Sequence, residues 1–292
     1  MKIRKAVVPV AGYGTRFLPA TKAIPKVMLP VVDKPTIQYI IEELVGAGIE
    51  QIILITSWNT RPVEDHFDHF LELEYKLKEA GKFDKLEEVK RISDMAEFVY
   101  VRQKEQRGNG DAILTAKNIV GNEPFIVSWG DDIFEAEPSK SRQLIDAYDK
   151  YQSIILGAVR TEDPADAKKY GFAKGPEVEK GIIQIEELIE KPGVERQPSK
   201  LATIGGSIYP PEIFEALESI EVKEGQELVY IDGINKLLAE GKKAYAVEIK
   251  NGRYFDCGNV LEYLKTNVAM ALKRNDIGDE FKEFIKNTAR DL

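Results

Sequence analysis

Residues 11–26 hold the densest group of chemically able side chains: Ala11-Gly12-Tyr13-Gly14-Thr15-Arg16, then Lys22 and Lys26. Two glycines two apart allow a sharp turn with no Cβ to hold a ligand away. The N–H groups of such a turn can converge on an anion, and Arg16, Lys22 and Lys26 add full positive charge. Directly after an apolar strand, this combination reads as a nucleotide-phosphate site. It is not a Walker A loop, which needs Gly-Lys-Ser/Thr. Nor is it a dinucleotide fingerprint, because Phe17 stands where the third glycine belongs.

Four further segments could act with it. Gln103, in a polar loop ending at Gly108, offers a donor and an acceptor that suit a nucleobase edge. Asp131 and Asp132 follow an apolar run and would repel each other without a cation; hard oxygen ligands there suit Mg²⁺ bound with phosphate. Glu190-Lys191 pairs a sugar-hydroxyl acceptor with a phosphate-holding cation. Asp256 and Gly258 flank Cys257, whose surroundings in sequence offer no base to activate a thiol. Both histidines lie at 66 and 69, so histidine acid–base chemistry is absent from every other candidate loop. Asp65, His66, Asp68 and His69 are spaced like metal ligands but read as a solvated helix face.

The elements that must hold these residues alternate. Residues 7–10 form a short buried strand, 36–48 a helix with apolar residues at helical spacing, and 51–56 an Ile-rich strand buried on both faces. This is a right-handed βαβ unit, which puts the opening loop at the carboxyl end of its strand. Prolines at 19, 25, 30 and 35 keep 17–35 largely non-helical, a long stiff loop. Helices follow at 63–78 and 83–92, a strand at 97–102, a helix at 111–118, a strand at 124–128, a helix at 142–150 and a strand at 153–159. Beyond residue 162 come shorter strands, at 170–173, 181–189 and 201–209. Helices at 212–218 and 230–239, a strand at 245–249 and amphipathic helices at 260–273 and 280–290 complete the chain. The expected fold class is α/β: a Rossmann-like, mostly parallel central sheet flanked by helices, with a smaller mixed β part.

Of the residues, 43% are hydrophobic and 31% charged, a globular balance, and the net charge of −8 opposes binding nucleic acid through a broad basic face. One cysteine excludes an internal disulfide framework and a Cys-based zinc cluster. No apolar run approaches about 18 residues and no signal-peptide core precedes the first strand, so no membrane partner and a cytoplasmic location are expected.

The long run Ala11-Gly-x-Gly-Thr-Arg16, Phe-Leu-Pro-Ala-Thr-Lys-x-Ile-Pro-Lys26 and Met28-Leu-Pro-x-Val-Asp-Lys-Pro-Thr-Ile-Gln-Tyr39 resembles the sugar-1-phosphate nucleotidylyltransferases. Among them it is nearest the bacterial branch that joins UTP to glucose 1-phosphate, and the likeness continues in pieces to about residue 275. The resemblance implies one nucleotidylyltransferase domain over 1–292, with a nucleotide-binding half at 1–160, a sugar-binding half at 161–258 and C-terminal helices at 259–292. It implies Arg16, Lys26 and Lys191 as catalytic residues, with Ala11, Gly12, Gly14, Thr15, Gln103, Gly108 and Asp132 on the nucleotide. Gly171, Glu190 and Gly205 would meet the sugar, and Asp131 and Asp256 would hold Mg²⁺. The expected partners are UTP and glucose 1-phosphate, and the expected assembly is a homodimer or homotetramer. Departures from the family pattern fall at Val27 (a Glu beside the nucleotide in the family), at 107–111, at 206–207 and at 226–232. Thymidylyl transfer, another hexose 1-phosphate, or a catalytically quiet nucleotide-sugar-binding protein are the alternatives.

Overall fold

The computed structural model describes residues 2–290; Met1, Asp291 and Leu292, at the ends of the expected domain bounds, lie outside the described residues. Four parallel strands form the nucleotide-side core of the sheet, in the order Phe125–Val127, Lys5–Pro9, Gln51–Thr56 and Glu97–Arg102. Their apolar runs are continuous because helices cover both faces. Ala6 and Val8 join one core with Ile37, Ile40, Ile41 and Leu44 of the helix Thr36–Gly46. Val7 points the other way, to Ile113 of Asn109–Thr115 and to Phe214 and Ile234 of the later helices Glu212–Glu218 and Tyr230–Ala239. The alternation of successive side chains between two cores is the period of a strand.

Because these four strands are parallel, the loops after them open on one edge. The chain goes from Lys5–Pro9 out to one side of the sheet and later returns on its other side, at Phe125–Val127. The gap between those two strands is a topological switch point, where open α/β sheets bind ligands.

The sheet has twelve strands and is mixed. Ser207–Tyr209 runs antiparallel between Phe125–Val127 and Ile154–Arg160, and Ala244–Glu248 lies parallel to the latter. A branch of three short strands, Leu201–Thr203, Gly171–Lys174 and Glu187–Glu190, leaves the sheet from Ile154–Arg160. Separately, Asp132–Ala136 pairs antiparallel with Gly252–Asp256, which sets Asp132 directly opposite Asp256.

Several element boundaries differ from the sequence expectation. The run 181–189 is two strands: Ile182–Gln184 pairs with Ala244–Glu248, and Glu187–Glu190 pairs with Gly171–Lys174. Its apolar alternation is real, but the chain changes partners at Ile185 and Glu186, whose N–H groups bond to Ala244 and Lys174. The run 201–209 breaks likewise at Gly205 and Gly206, both at positive φ. The helix expected at 63–78 stops at Phe67 and restarts at Leu71, and the proline-rich loop contains three short 3₁₀ turns. Among the described residues no helix is long and apolar enough to cross a membrane.

Candidate active site

The loop after the first strand folds back on itself. Gly14 takes φ 64°, a left-handed conformation that favours glycine. The Thr21 hydroxyl donates to Gly14 O at 2.7 Å, which closes the turn and points Lys26 at the neighbouring strand end. There Lys26 Nζ meets Asp131 Oδ2 at 2.5 Å, across the switch point.

Arg16 arrives from the same loop. Its Nη1 donates to Gly258 O at 3.3 Å, tying the glycine turn to the segment after Gly252–Asp256. Gly258 lies between the carboxylates. A methyl carbon built on it would stand 2.9 Å from Asp256 Oδ1, 3.0 Å from Asp131 Oδ2 and 3.8 Å from Arg16 Nη1. Two carboxylates and a guanidinium therefore converge over a residue with no side chain. Asp256 is held by the Gly258 N–H (2.6 Å) and by Asn259 Nδ2 (2.8 Å), which steady the carboxylate that burial pushes up in pKa.

Asp132 is tied to the neighbouring strand. Its Oδ1 accepts from Tyr254 Oη at 2.8 Å, and burial, with the charge of Asp131 beside it, raises its pKa. Beneath this floor lies a residue that sequence reasoning passed over. Lys140 is 1% exposed; it donates to Ser128 Oγ at 2.9 Å and pairs with Glu43 Oε2 at 3.5 Å. Glu43 in turn accepts from the Ser141 N–H and hydroxyl.

Two cavities flank the convergence. One, of about 340 Å³, is lined by Arg16, Asp131, Asp132, Asp256, Gly171 and Glu190 among others. The other, of about 310 Å³, is lined by Ala11, Gly12, Lys26, Gln103, Gly108 and Asp131 among others. Asp131 belongs to both, together with Asn109 and Trp129. Asp132, expected at the nucleotide, lines the first cavity and not the second.

In the first cavity, a methyl carbon on Gly171 would meet Thr203 Oγ1 at 2.8 Å and Glu190 Oε2 at 3.1 Å, so these two oxygens crowd one spot. The Thr203 hydroxyl is buried with no hydrogen-bond partner. Neither Thr203 nor Tyr230, which also lines this cavity, carried a signal in the sequence; Thr203 becomes visible when the short strands are paired, and Tyr230 when its helix packs on Glu187–Glu190 through Asn235 and Leu188. Lys191, at φ 45°, rests its Nζ 3.5 Å from Glu190 Oε1 and lies outside the cavity lining. Gly205 is also not brought to the cavity; a methyl carbon built on it would stand 3.0 Å from Phe134 Cζ.

In the second cavity, Gly108 holds φ 110°, and a Cβ there would collide with Leu228 O. Only glycine lets the 103–108 loop pack on the 226–229 segment. Val27 does not line the second cavity; it is 1% exposed and packs in the core under Gly130.

Thr15 and Lys22 sit in 3₁₀ turns of the opening loop, and Lys22 is exposed. The histidines do not gather a metal site: His66 Nε2 lies 3.0 Å from Gln38 Oε1, and His69 lies between Glu74 and Asp94. Among the described residues no group of three or more His, Cys, Asp or Glu side chains is arranged to hold an ion. A two-carboxylate pair such as Asp131 and Asp256 fits Mg²⁺ all the same, since that ion takes its remaining ligands from phosphate oxygens and water.

Residues 5–273 match the family model described as nucleotidyl transferase. A UTP–glucose-1-phosphate uridylyltransferase 1 of Staphylococcus saprophyticus is 45% identical over 287 residues, covering 98% of this chain and 99% of the relative. A UTP–glucose-1-phosphate uridylyltransferase of Bacillus subtilis is 45% identical over 285 residues, with 98% and 97% covered. Among solved structures, a UTP-bound UGPase from Acinetobacter baumannii superposes with a TM-score of 0.89 at 36% identity, covering 97% of this chain and 98% of that one. With a match that runs nearly end to end in both sequence and fold, the chain belongs to the nucleotidyl transferase family.

Proposed function

We propose that this protein transfers a uridylyl group from UTP to glucose 1-phosphate, giving UDP-glucose and pyrophosphate. The observation that carries the reading is that Asp131 lines both cavities, with Lys26 on its nucleotide side and Arg16 and Asp256 on the other. A nucleotide in one cavity and a sugar phosphate in the other would meet at that point. The relatives' names supply the two substrates.

The attacking group is a phosphate oxygen of the sugar phosphate, already anionic at neutral pH, so no general base is needed. It forms a bond to the α-phosphorus while the bond from that phosphorus to the bridging oxygen breaks, and pyrophosphate leaves with the electron pair. Two anions must be brought together, so positioning and neutralisation carry the catalysis. Arg16, which lines the first cavity and reaches the convergence at Gly258, would have to extend across Asp131 to take the triphosphate and the leaving pyrophosphate. Lys26 turns from Asp131 toward the α-phosphate, and Lys191 turns from Glu190 to fix the sugar phosphate in line. Glu190 and Thr203 receive sugar hydroxyls, and Gln103 and Gly108 bracket the base. Asp131 and Asp256 would hold Mg²⁺, whose charge offsets the build-up on phosphate oxygens.

The test is Mg²⁺-dependent pyrophosphate release with UTP, dTTP, CTP, ATP and GTP against glucose 1-phosphate. Release led by UTP is expected. Release led by another nucleotide, or none with glucose 1-phosphate while galactose or N-acetylglucosamine 1-phosphate reacts, overturns the assignment of substrates.

A further inference from the structure

We propose that Asp111, which does not line either cavity, sets the base selectivity of the site by locking the side-chain amide of Gln103 in one orientation. The inference rests on reading the second cavity as the nucleotide's.

An amide side chain can show a base either its carbonyl or its NH₂, and the two choices select opposite partners. In Gln103 the choice is made before any ligand arrives. The residue is 6% exposed, and its Nε2 donates to Asp111 Oδ2 at 2.7 Å and to Gly108 O at 3.4 Å. A carboxylate only accepts, so it cannot hold the flipped amide, whose carbonyl would face it. Asp111 is itself held, since its Oδ1 lies 3.2 Å from Arg107 Nη2 and its side chain is 13% exposed. Among the described residues nothing donates to Gln103 Oε1, so the atom left for a ligand is an acceptor.

Gln106, from the same loop, is set in the same sense. Its Nε2 donates to Ala11 O, and its Oε1 is buried without a partner. Both glutamine amides lining this cavity therefore have their NH₂ groups spent on the protein, whereas the third amide, Asn109, is set the other way, its Oδ1 accepting from the Tyr230 N–H. A base that meets the Gln103 carbonyl must bring a ring N–H. Uracil and thymine do so at N3; cytosine presents a lone pair there, which would oppose Oε1. The arrangement explains discrimination between keto and amino pyrimidines and leaves the methyl of thymine to shape alone.

The experiment is equilibrium binding of UTP and CTP, by titration calorimetry, to the wild-type protein, to Asp111→Asn and to the double variant Gln103→Glu/Asp111→Asn. Wild type is expected to bind UTP at least about thirtyfold tighter than CTP, the scale of an opposed buried polar pair. The amide that Asp111→Asn introduces can face Gln103 with either end, so the single variant frees Gln103 to turn. Its UTP-to-CTP ratio is expected to fall by about tenfold. In the double variant the introduced amide donates to the new carboxylate at position 103, whose other oxygen faces the base, and the ratio is expected to recover. A merely structural role for Asp111 would weaken both nucleotides alike and would not be rescued.

Equal binding of UTP and CTP by wild type, or a ratio in Asp111→Asn within about twofold of wild type, overturns the proposal. If the single variant does not fold, a UTP-bound crystal structure of wild type decides. Gln103 still bonded to Asp111 supports the lock, and Gln103 turned away from it overturns the lock. Because binding is read without turnover, selective UTP binding without pyrophosphate release would sink the proposed reaction while leaving the lock supported.

Discussion

Lys26 Nζ and Asp131 Oδ2 are 2.5 Å apart although 105 residues separate them, and both line the same cavity. Neither is deeply buried: the side chains are 27% and 20% exposed. The pair is thus a cation and an anion held at the surface of a cleft, each able to exchange its partner for a charged ligand. A phosphate arriving at Lys26 and a divalent cation arriving at Asp131 would each compensate the loss of the other side chain. Lys26→Ala is expected to lower pyrophosphate release by at least about a hundredfold, the scale of losing one preorganised charge contact. Turnover near that of wild type would remove Lys26 from the mechanism.

Thr203 has a buried hydroxyl, beside Glu190, that makes no hydrogen bond among the described residues. Thr203→Val keeps the shape and removes the hydroxyl. It is expected to raise the KM for the sugar phosphate by about five- to tenfold, the worth of one hydrogen bond, and to leave the KM for the nucleotide unchanged. Equal KM values for wild type and variant would place Thr203 outside the sugar contact.

Lys140 is a buried charge that the fold must keep paired. Lys140→Met leaves Glu43 facing Ser141 without its cation and is expected to destabilise the protein by about 3–5 kcal/mol, measured by denaturant unfolding. A stability within about 1 kcal/mol of wild type would mean that the Ser141 bonds alone satisfy Glu43.

Cys257 is adjacent to Asp256 but is 3% exposed, and burial pushes its thiol up to about 12. The thiolate is the reactive form, so a disulfide reagent at pH 8 is expected to label the native protein far more slowly than the unfolded chain. Fast native labelling would contradict the burial.

At the opposite, amino-terminal edge of the sheet, Glu123 accepts from Arg4 and contacts Lys5, which hold its carboxyl down at about 2. A carboxylate depressed on folding contributes stability that is present above its ordinary value near 4.5 and is lost as pH falls toward 2. Solvent screening keeps the effect to about 1 kcal/mol or less. Glu123→Gln is expected to flatten the acid limb of the stability curve over that window and to leave activity unchanged. An unaltered acid limb would show that the pair contributes nothing measurable.

The parts of the site that could be read from the sequence are those whose chemistry is local. The Ala11–Arg16 turn, the acidic end of a buried strand at Asp131, and Glu190 each carry their signal in a few adjacent residues. The apolar strands were legible for the same reason, as runs buried on both faces. What stayed hidden depends on pairing. No local pattern sets Asp132 opposite Asp256, brings Thr203 beside Glu190 or seats Lys140 under Ser128. Val27 shows the converse. The resemblance marked it as a departure beside the nucleotide, and the 3₁₀ turn Lys26–Met28 sends Lys26 to the cleft and Val27 to the core.

The antiparallel ribbon of Asp132–Ala136 and Gly252–Asp256 also fixes when the protein can begin to work. Its two strands are more than a hundred residues apart in sequence, at Asp132–Ala136 and Gly252–Asp256. During synthesis, residues 1–136 would leave the ribosome with Lys26, Arg16 and Asp131 in hand but no opposing carboxylate and no anchor for Arg16 at Gly258. A nascent chain that has not reached residue 258 therefore carries the phosphate loop without the facing carboxylate of Asp256 and without the Gly258 carbonyl that holds Arg16.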